Sequence, residues 1–220
     1  RQIGETIKKV GPQNHLSKAG TPTMGGLIIV ASVVIPVFLW SDIKSSYIIL
    51  VTIGMLWLSF VGFVDDYLKV IKKMPDGLIA KYKLMGQVFI GIVVGLAIYL
   101  LPEFNQFDTE TTLPFFKNLN LDFSYLYIPM VIFIITATSN AVNLTDGLDG
   151  LAMGTMIIVM LTLAILSYVS GNYIFSDYLN IIYLPGSGEL SVFIAALIGA
   201  GLGFLWFNFY PAQVFMGDTG

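Results

Sequence analysis

Six stretches of the 220-residue chain are apolar for long enough to cross a bilayer, and its few charges fall between them. The stretches are Met24–Trp40, Tyr47–Val64, Leu84–Leu101, Leu126–Val142, Leu151–Val169 and Leu190–Phe209. A spanning helix needs roughly 20 predominantly apolar residues. Inside a bilayer every backbone polar group must also be satisfied within the protein, which restricts spanning segments to helices or closed barrels. The composition agrees, with 56% hydrophobic and 11% charged residues. Ordinary soluble domains are about 45–50% apolar and about 25% charged. The expected fold is therefore all-α: a polytopic transmembrane helical bundle of six spans in a single integral-membrane domain over residues 1–220. The chain begins at Arg1 and stops within a Gly-Asp-Thr-Gly run, so that domain is expected to be incomplete at both ends.

The connections divide by charge. Arg1, Lys8, Lys9, Lys18, Lys69, Lys72, Lys73, Lys81 and Lys83 fall on one side under strict alternation, and only Lys44 and Lys117 on the other. Nine against two places the first set in the cytoplasm, because cytoplasmic loops carry the excess of Lys and Arg. The polar stretch Pro102–Tyr125 then reads as an extracytoplasmic loop with a short hairpin. Gly171–Gly188 reads as a second outer connection with one short surface helix. Gly91/Gly95 and Gly199/Gly203 have the small-xxx-small spacing that suits close helix packing. There is no cysteine, so disulfides are excluded, and the single histidine, His15, rules out a His-rich metal site within these residues.

Four unusual polar stretches share the cytoplasmic side: HLSKAGTPTMGG (15–26), VDDYLK (64–69), NAVNLTDGLDG (140–150) and NFYPAQVFMGDTG (208–220). Asp65 and Asp66 lie at a helix C-terminus, where the dipole disfavours carboxylates. Lys69, four residues after Asp65, can neutralise part of that charge. Neighbouring helical residues project about 100° apart, so the two acids are expected to serve different partners. One would face a metal or substrate while the other orients a neighbour. Asp149 is a candidate helix cap, which leaves Asn143 and Asp146 unexplained. Phe215, taken by itself, reads as ordinary interfacial burial. Lys18 and Thr23 are candidate anion and hydroxyl partners. Carboxylates beside lysines suit a phosphate substrate that arrives with Mg²⁺, which takes one or two carboxylates and the substrate's phosphate oxygens.

Taken in order, HLSKAGTPTMGG, FVDDYLK, NAVNLTDGLDGLA and NFYPAQVFMGDTG resemble the phospho-N-acetylmuramoyl-pentapeptide transferases. These belong to the superfamily that transfers sugar-1-phosphates to polyprenyl phosphates. The resemblance implies transfer of phospho-N-acetylmuramoyl-pentapeptide from UDP to undecaprenyl phosphate, forming lipid I and UMP in peptidoglycan synthesis. It implies a multi-pass protein of the bacterial inner membrane with its active site facing the cytoplasm. It assigns Asp65, Asp66 and Asp218 as catalytic, with Asp218 as the Mg²⁺ ligand. It assigns Asn143, Asp146, Gly147, Leu148 and Asp149 to the nucleoside side, Phe215 to stacking on uracil, and Lys18, Thr23, Lys69, Lys81 and Asn208 to further substrate contacts. The partners it implies are UDP-N-acetylmuramoyl-pentapeptide, undecaprenyl phosphate and the lipid bilayer, with no nucleic acid and with room for a homodimer. The family has about ten spans, so one helix is expected before Arg1, with further helices and a histidine-rich cytoplasmic motif after Gly220. Two alternatives stay open: a related UDP-N-acetylhexosamine transferase, and a transporter. Transporters usually place their binding carboxylates near the bilayer midplane.

Overall fold

The computed structural model describes residues 22–74, 77–104, 109–113 and 116–220. Its helices are α1 (Gly26–Trp40), α2 (Ser46–Val70), α3 (Ala80–Leu100), α4 (Tyr127–Thr145), α5 (Leu151–Ser170), α6 (Tyr173–Leu179) and α7 (Leu190–Asn208). The strands β1 (Glu110–Leu113) and β2 (Phe116–Asp122) form one antiparallel hairpin between α3 and α4. The fold is thus helical apart from this hairpin, which lies in the stretch expected to hold one. The short helix α6 occupies the second polar connection; the Asn172 side chain caps it by accepting the N–H groups of Ile174 and Phe175.

All six expected windows carry a helix, but only five have spanning length and hydropathy. The sixth, α1, has 15 residues. Its expected start at Met24 moves to Gly26 because the preceding backbone is bonded elsewhere. Gly25 N–H donates to Phe215 O and Gly26 N–H to Met216 O, while Phe215 N–H donates to Pro22 O. Residues 22–26 therefore lie alongside residues 215–216 instead of adding a turn to α1. Conversely, α2 runs six residues past its apolar window, so Asp65, Asp66 and Lys69 sit on helix. Helix α4 likewise continues through Asn143 to Thr145.

The helices form an arc in which α4 packs on α3, α3 on α2, α1 between α2 and α7, and α7 on α5. Ile29, Val33, Val37, Met153, Ile157, Phe193 and Phe204 form its buried core at the α1–α7–α5 seam. Large apolar side chains such as Phe133, Ile158 and Trp206 face outward, as expected where the surrounding solvent is lipid. The two glycine pairs behave differently. A Cβ on Gly91 would meet Ile132 Cα of α4 at 2.9 Å, so α3 and α4 approach closely there. Gly199 and Gly203 have no described atom within 4 Å of such a Cβ; on α7 it is Gly201 that packs, against Met153 and Ile157.

Candidate active site

The described parts of the four polar stretches, residues 22–26, 64–69, 140–150 and 208–220, converge at one end of the bundle. The C-terminal segment is drawn between α1 and α2 because both helices present glycine there. A Cβ on Gly62 would stand 1.7 Å from Asp218 O, and one on Gly26 would stand 2.2 Å from Gly220 N. Beside Gly62, the buried Asp66 receives the end of that segment. Its Oδ1 accepts Asp218 N–H at 3.0 Å, and its Oδ2 accepts Thr219 N–H at 3.0 Å and the Thr219 hydroxyl. This carboxylate fixes the backbone from which the Asp218 side chain projects.

Asp65 points elsewhere, as the 100° step along a helix requires. Its Oδ1 accepts Leu78 N–H at 2.6 Å, and its Oδ2 pairs with Lys69 Nζ at 2.7 Å. The approach of residues 77–78 depends on Gly77, whose φ of +58° is a left-handed value that favours glycine. A side chain at this position would also strike Asp65 Oδ1. Lys69 thus spans two carboxylates, since its Nζ also pairs with Asp218 Oδ2. The other oxygen of Asp218, Oδ1, accepts from Lys83 Nζ at 3.3 Å and from the Asn143 side-chain amide.

Asp218 therefore gathers groups from α2, α3 and α4. Burial works against its charge. Hydrogen bonding with Asp65, Lys69 and Asn143 and the charge of Lys83 outweigh that and hold its carboxyl well below the usual carboxylate range.

The cluster opens into a cavity of about 260 Å³ lined by Thr23, Asp66, Lys69, Asn143, Asp146, Gly147, Leu148, Asp149, Asn208, Phe215 and Asp218, with Val70 and Gly217. Two of these side chains shape its wall. Asn208 Oδ1 accepts Gly150 N–H at 3.0 Å while its Nδ2 donates to Val214 O at 2.9 Å. Asp149 Oδ2 accepts Ala212 N–H at 3.2 Å, tying the 146–150 turn to the segment after α7. Thr23 Oγ1 is buried with no hydrogen-bond partner among the described residues. Phe215 is half-buried, in keeping with either reading of it.

The structure thus brings together Thr23, Asp66, Lys69, Asn143, Asp146, Gly147, Leu148, Asp149, Asn208, Phe215 and Asp218 around one cavity, with Asp65 behind Lys69. Lys18 and His15 lie outside the described residues. Lys81 is exposed on the first turn of α3 and does not line the cavity. The lysine that α3 delivers is Lys83, two residues on, which the sequence reading counted only as a cytoplasmic charge. The available signal was the four-residue spacing of Lys83, Gln87, Gly91 and Gly95, a stripe that faces α4.

Comparison with known sequences bears on what this cavity belongs to. The sequence model of glycosyl transferase family 4 matches residues 47–220. The chain belongs to glycosyl transferase family 4. The matched span of this family 4 chain holds every side chain of the Asp218 cluster. Residues 18–30, around Thr23, match phospho-N-acetylmuramoyl-pentapeptide-transferase signature 1. The family 4 chain is similar to the phospho-N-acetylmuramoyl-pentapeptide-transferase of Chlorobium luteolum, at 50% identity over 98% of the chain and 59% of the relative. That of Chlorobium chlorochromatii is 50% identical over 100% of the chain and 60% of the relative. That of Flavobacterium johnsoniae is 44% identical, with 100% and 64% covered. The chain spans about three-fifths of the length of these relatives.

Proposed function

We propose that this chain carries the reaction centre of a phospho-N-acetylmuramoyl-pentapeptide transferase at the cytoplasmic face of a bacterial inner membrane. The observation that carries the reading is Asp218, held by Asp66 and met by Lys69, Lys83 and Asn143 beside the cavity that Phe215 and the 146–149 turn line. The signature match at residues 18–30 favours the muramoyl substrate over other UDP-N-acetylhexosamines. The acids meet at one end of the bundle, which speaks against the midplane site of a transporter.

In this reaction an undecaprenyl phosphate oxygen attacks the β-phosphorus of UDP-N-acetylmuramoyl-pentapeptide. The bond from that phosphorus to the oxygen bridging it to the α-phosphorus breaks, and UMP leaves with the electron pair. A phosphate is already a nucleophile, so the protein's task is positioning and charge neutralisation. Lys69 and Lys83 supply positive charge beside Asp218. Phe215 offers an aromatic face to uracil, and Thr23 a hydroxyl for a polar group of the substrate. Both oxygens of Asp66 are occupied by the Asp218–Thr219 backbone and hydroxyl, which favours direct attack over a phosphorylated Asp66. Asp65, whose oxygens are engaged by Leu78 N–H and Lys69, acts on the site from behind Lys69.

Among the described residues, no three His, Asp or Glu side chains form a metal cage. Asp218 nevertheless presents a carboxylate to the cavity, a donor that suits Mg²⁺, which takes one or two carboxylates and completes its shell with phosphate oxygens and water. Asp218 would hold the ion, which supplies neutralisation of the diphosphate when bound.

The test is the full-length protein carrying this segment, incubated with undecaprenyl phosphate and either UDP-N-acetylmuramoyl-pentapeptide or UDP-N-acetylglucosamine. Release of UMP with formation of lipid I from the first is expected. Preference for the second would move the assignment to a related transferase, and ion flux without UMP release would move it to transport.

A further inference from the structure

We propose that Gln87, which does not line the 260 Å³ cavity, is a positioning residue of this centre: it sets the register of α3 against α4 and so brings Lys83 and Asn143 to the same oxygen of Asp218. The inference rests on reading the Asp218 cluster as the reaction centre.

Gln87 is 2% exposed, inside an otherwise apolar stretch of α3. A primary amide in hydrocarbon is costly unless its donors and acceptor are matched. Here both ends are matched to consecutive residues of α4. Gln87 Nε2 donates to Ser139 Oγ at 3.1 Å, and Gln87 Oε1 accepts from Asn140 Nδ2 at 2.9 Å. The residue before it is bonded to the opposite neighbour, since Gly86 O accepts the Trp57 indole N–H of α2 at 2.9 Å. At adjacent positions, then, α3 is tied to both flanking helices.

The spacing gives this lock its consequence. Lys83 is four residues before Gln87 and Asn143 is four after Ser139, so each lies one helical turn further toward the site on the same face. Both then meet Asp218 Oδ1. Gln87, Ser139, Lys83, Asn143 and Asp218 line one continuous cavity of about 390 Å³. Sliding α3 by a single residue would move Lys83 about 1.5 Å along the axis and about 100° around it, away from that oxygen. Apolar packing alone resists such a slide weakly, because lipid offers equivalent contacts. A donor and an acceptor facing two successive residues resist it directionally.

The test uses Gln87→Met in the full-length protein, which preserves length and apolar packing and removes both hydrogen bonds. Relative to the unaltered protein, kcat should fall about tenfold with KM for the UDP substrate within about twofold, the pattern of lost transition-state contacts. In a Lys83→Ala/Asn143→Ala background the same change should cost less than about twofold, because residues acting through one another are not additive. Unchanged kcat, or an equal loss in both backgrounds, would overturn the proposal. A second readout needs no activity. The chain contains no cysteine, so a Lys83→Cys/Asn143→Cys pair in a cysteine-free background reports the register by its rate of oxidative cross-linking. Gln87→Met should slow that reaction several-fold, and an unchanged rate would also overturn the proposal. Absence of transferase activity in the unaltered protein would instead defeat the assignment of the reaction, while cross-linking would still decide the role of Gln87 in register.

Discussion

Asp66 accepts the backbone N–H of Asp218 at 3.0 Å, across 152 residues of chain. A carboxylate of the second helix thereby sets the direction of a carboxylate near the end of the sequence. With Thr219 N–H and hydroxyl on its other oxygen, Asp66 serves as an anchor. Asp66→Asn would turn an amide N–H₂ toward one of these donors. Leaving such a buried group unsatisfied costs about 1–3 kcal/mol. Activity of the full-length protein should fall by about fivefold to a hundredfold, by the equivalence of 1.4 kcal/mol to a factor of ten. The pH profile of kcat/KM should keep its shape. Loss of the acidic limb in this variant would make Asp66 the proton acceptor instead.

Gly62 should tolerate no side chain. A Cβ there would lie 1.7 Å from Asp218 O, and the anchored segment has little room to retreat. In a helix interior alanine is favoured over glycine by about 1 kcal/mol, so Gly62→Ala ought to help α2 itself. The expected result is lost transfer activity with the helical circular dichroism of the unaltered protein. Normal turnover would show that the segment yields at no cost.

The three lysines should separate cleanly in the transfer assay. Lys69 bridges Asp65 and Asp218, and Lys83 reaches Asp218 at 3.3 Å, whereas Lys81 is exposed away from the cavity. Lys69→Met should cost at least about a hundredfold in kcat/KM, about 2.7 kcal/mol, and Lys83→Met about tenfold. Lys81→Met should stay within about twofold, as exposed charges contribute little. A severe defect at Lys81 would place that side chain at the substrate despite its position here.

Asp218 also makes a prediction about acid. Its carboxyl is held below the ordinary range because hydrogen bonding with Asp65, Lys69 and Asn143 and the charge of Lys83 outweigh burial. A depressed folded pKa adds stability that is complete above the unfolded value, about 3.9 for Asp. That stability is lost as pH falls through the folded value. Thermal unfolding of the metal-free, detergent-solubilised protein should therefore separate the unaltered form from Asp218→Asn by a margin that narrows as pH falls below about pH 4. A margin that stays unchanged below about pH 4 would contradict this.

Much of this architecture was legible from apolar length and charge placement. The six windows all carry helices, and the described parts of the four polar stretches meet at one end. The separation of Asp65 from Asp66 followed from the helical step alone. Two kinds of detail were hidden. Apolar counting cannot see a helix continue through polar residues, so the extension of α4 through Asn143 to Thr145 escaped it. It also cannot see backbone bonds made to distant chain, which is why the start of α1 shifted from Met24 to Gly26. The choice between Lys81 and Lys83 needed the facing direction of α3. Residues two apart point about 200° from each other, so only one could share the stripe of Gln87, Gly91 and Gly95. Glycine spacing misled at Gly199/Gly203 for the same reason, since the partner helix lies on the side of Gly201.

The bond between Asp66 and the Asp218–Thr219 backbone also orders events in time. Asp66 enters the membrane boundary when α2 is inserted, yet both N–H groups it accepts are synthesised some 150 residues later. Until the ribosome has passed Thr219, this acid must find its hydrogen bonds in water at the bilayer edge. This end of the bundle is thus closed only when the segment after α7 is laid between helices already in place.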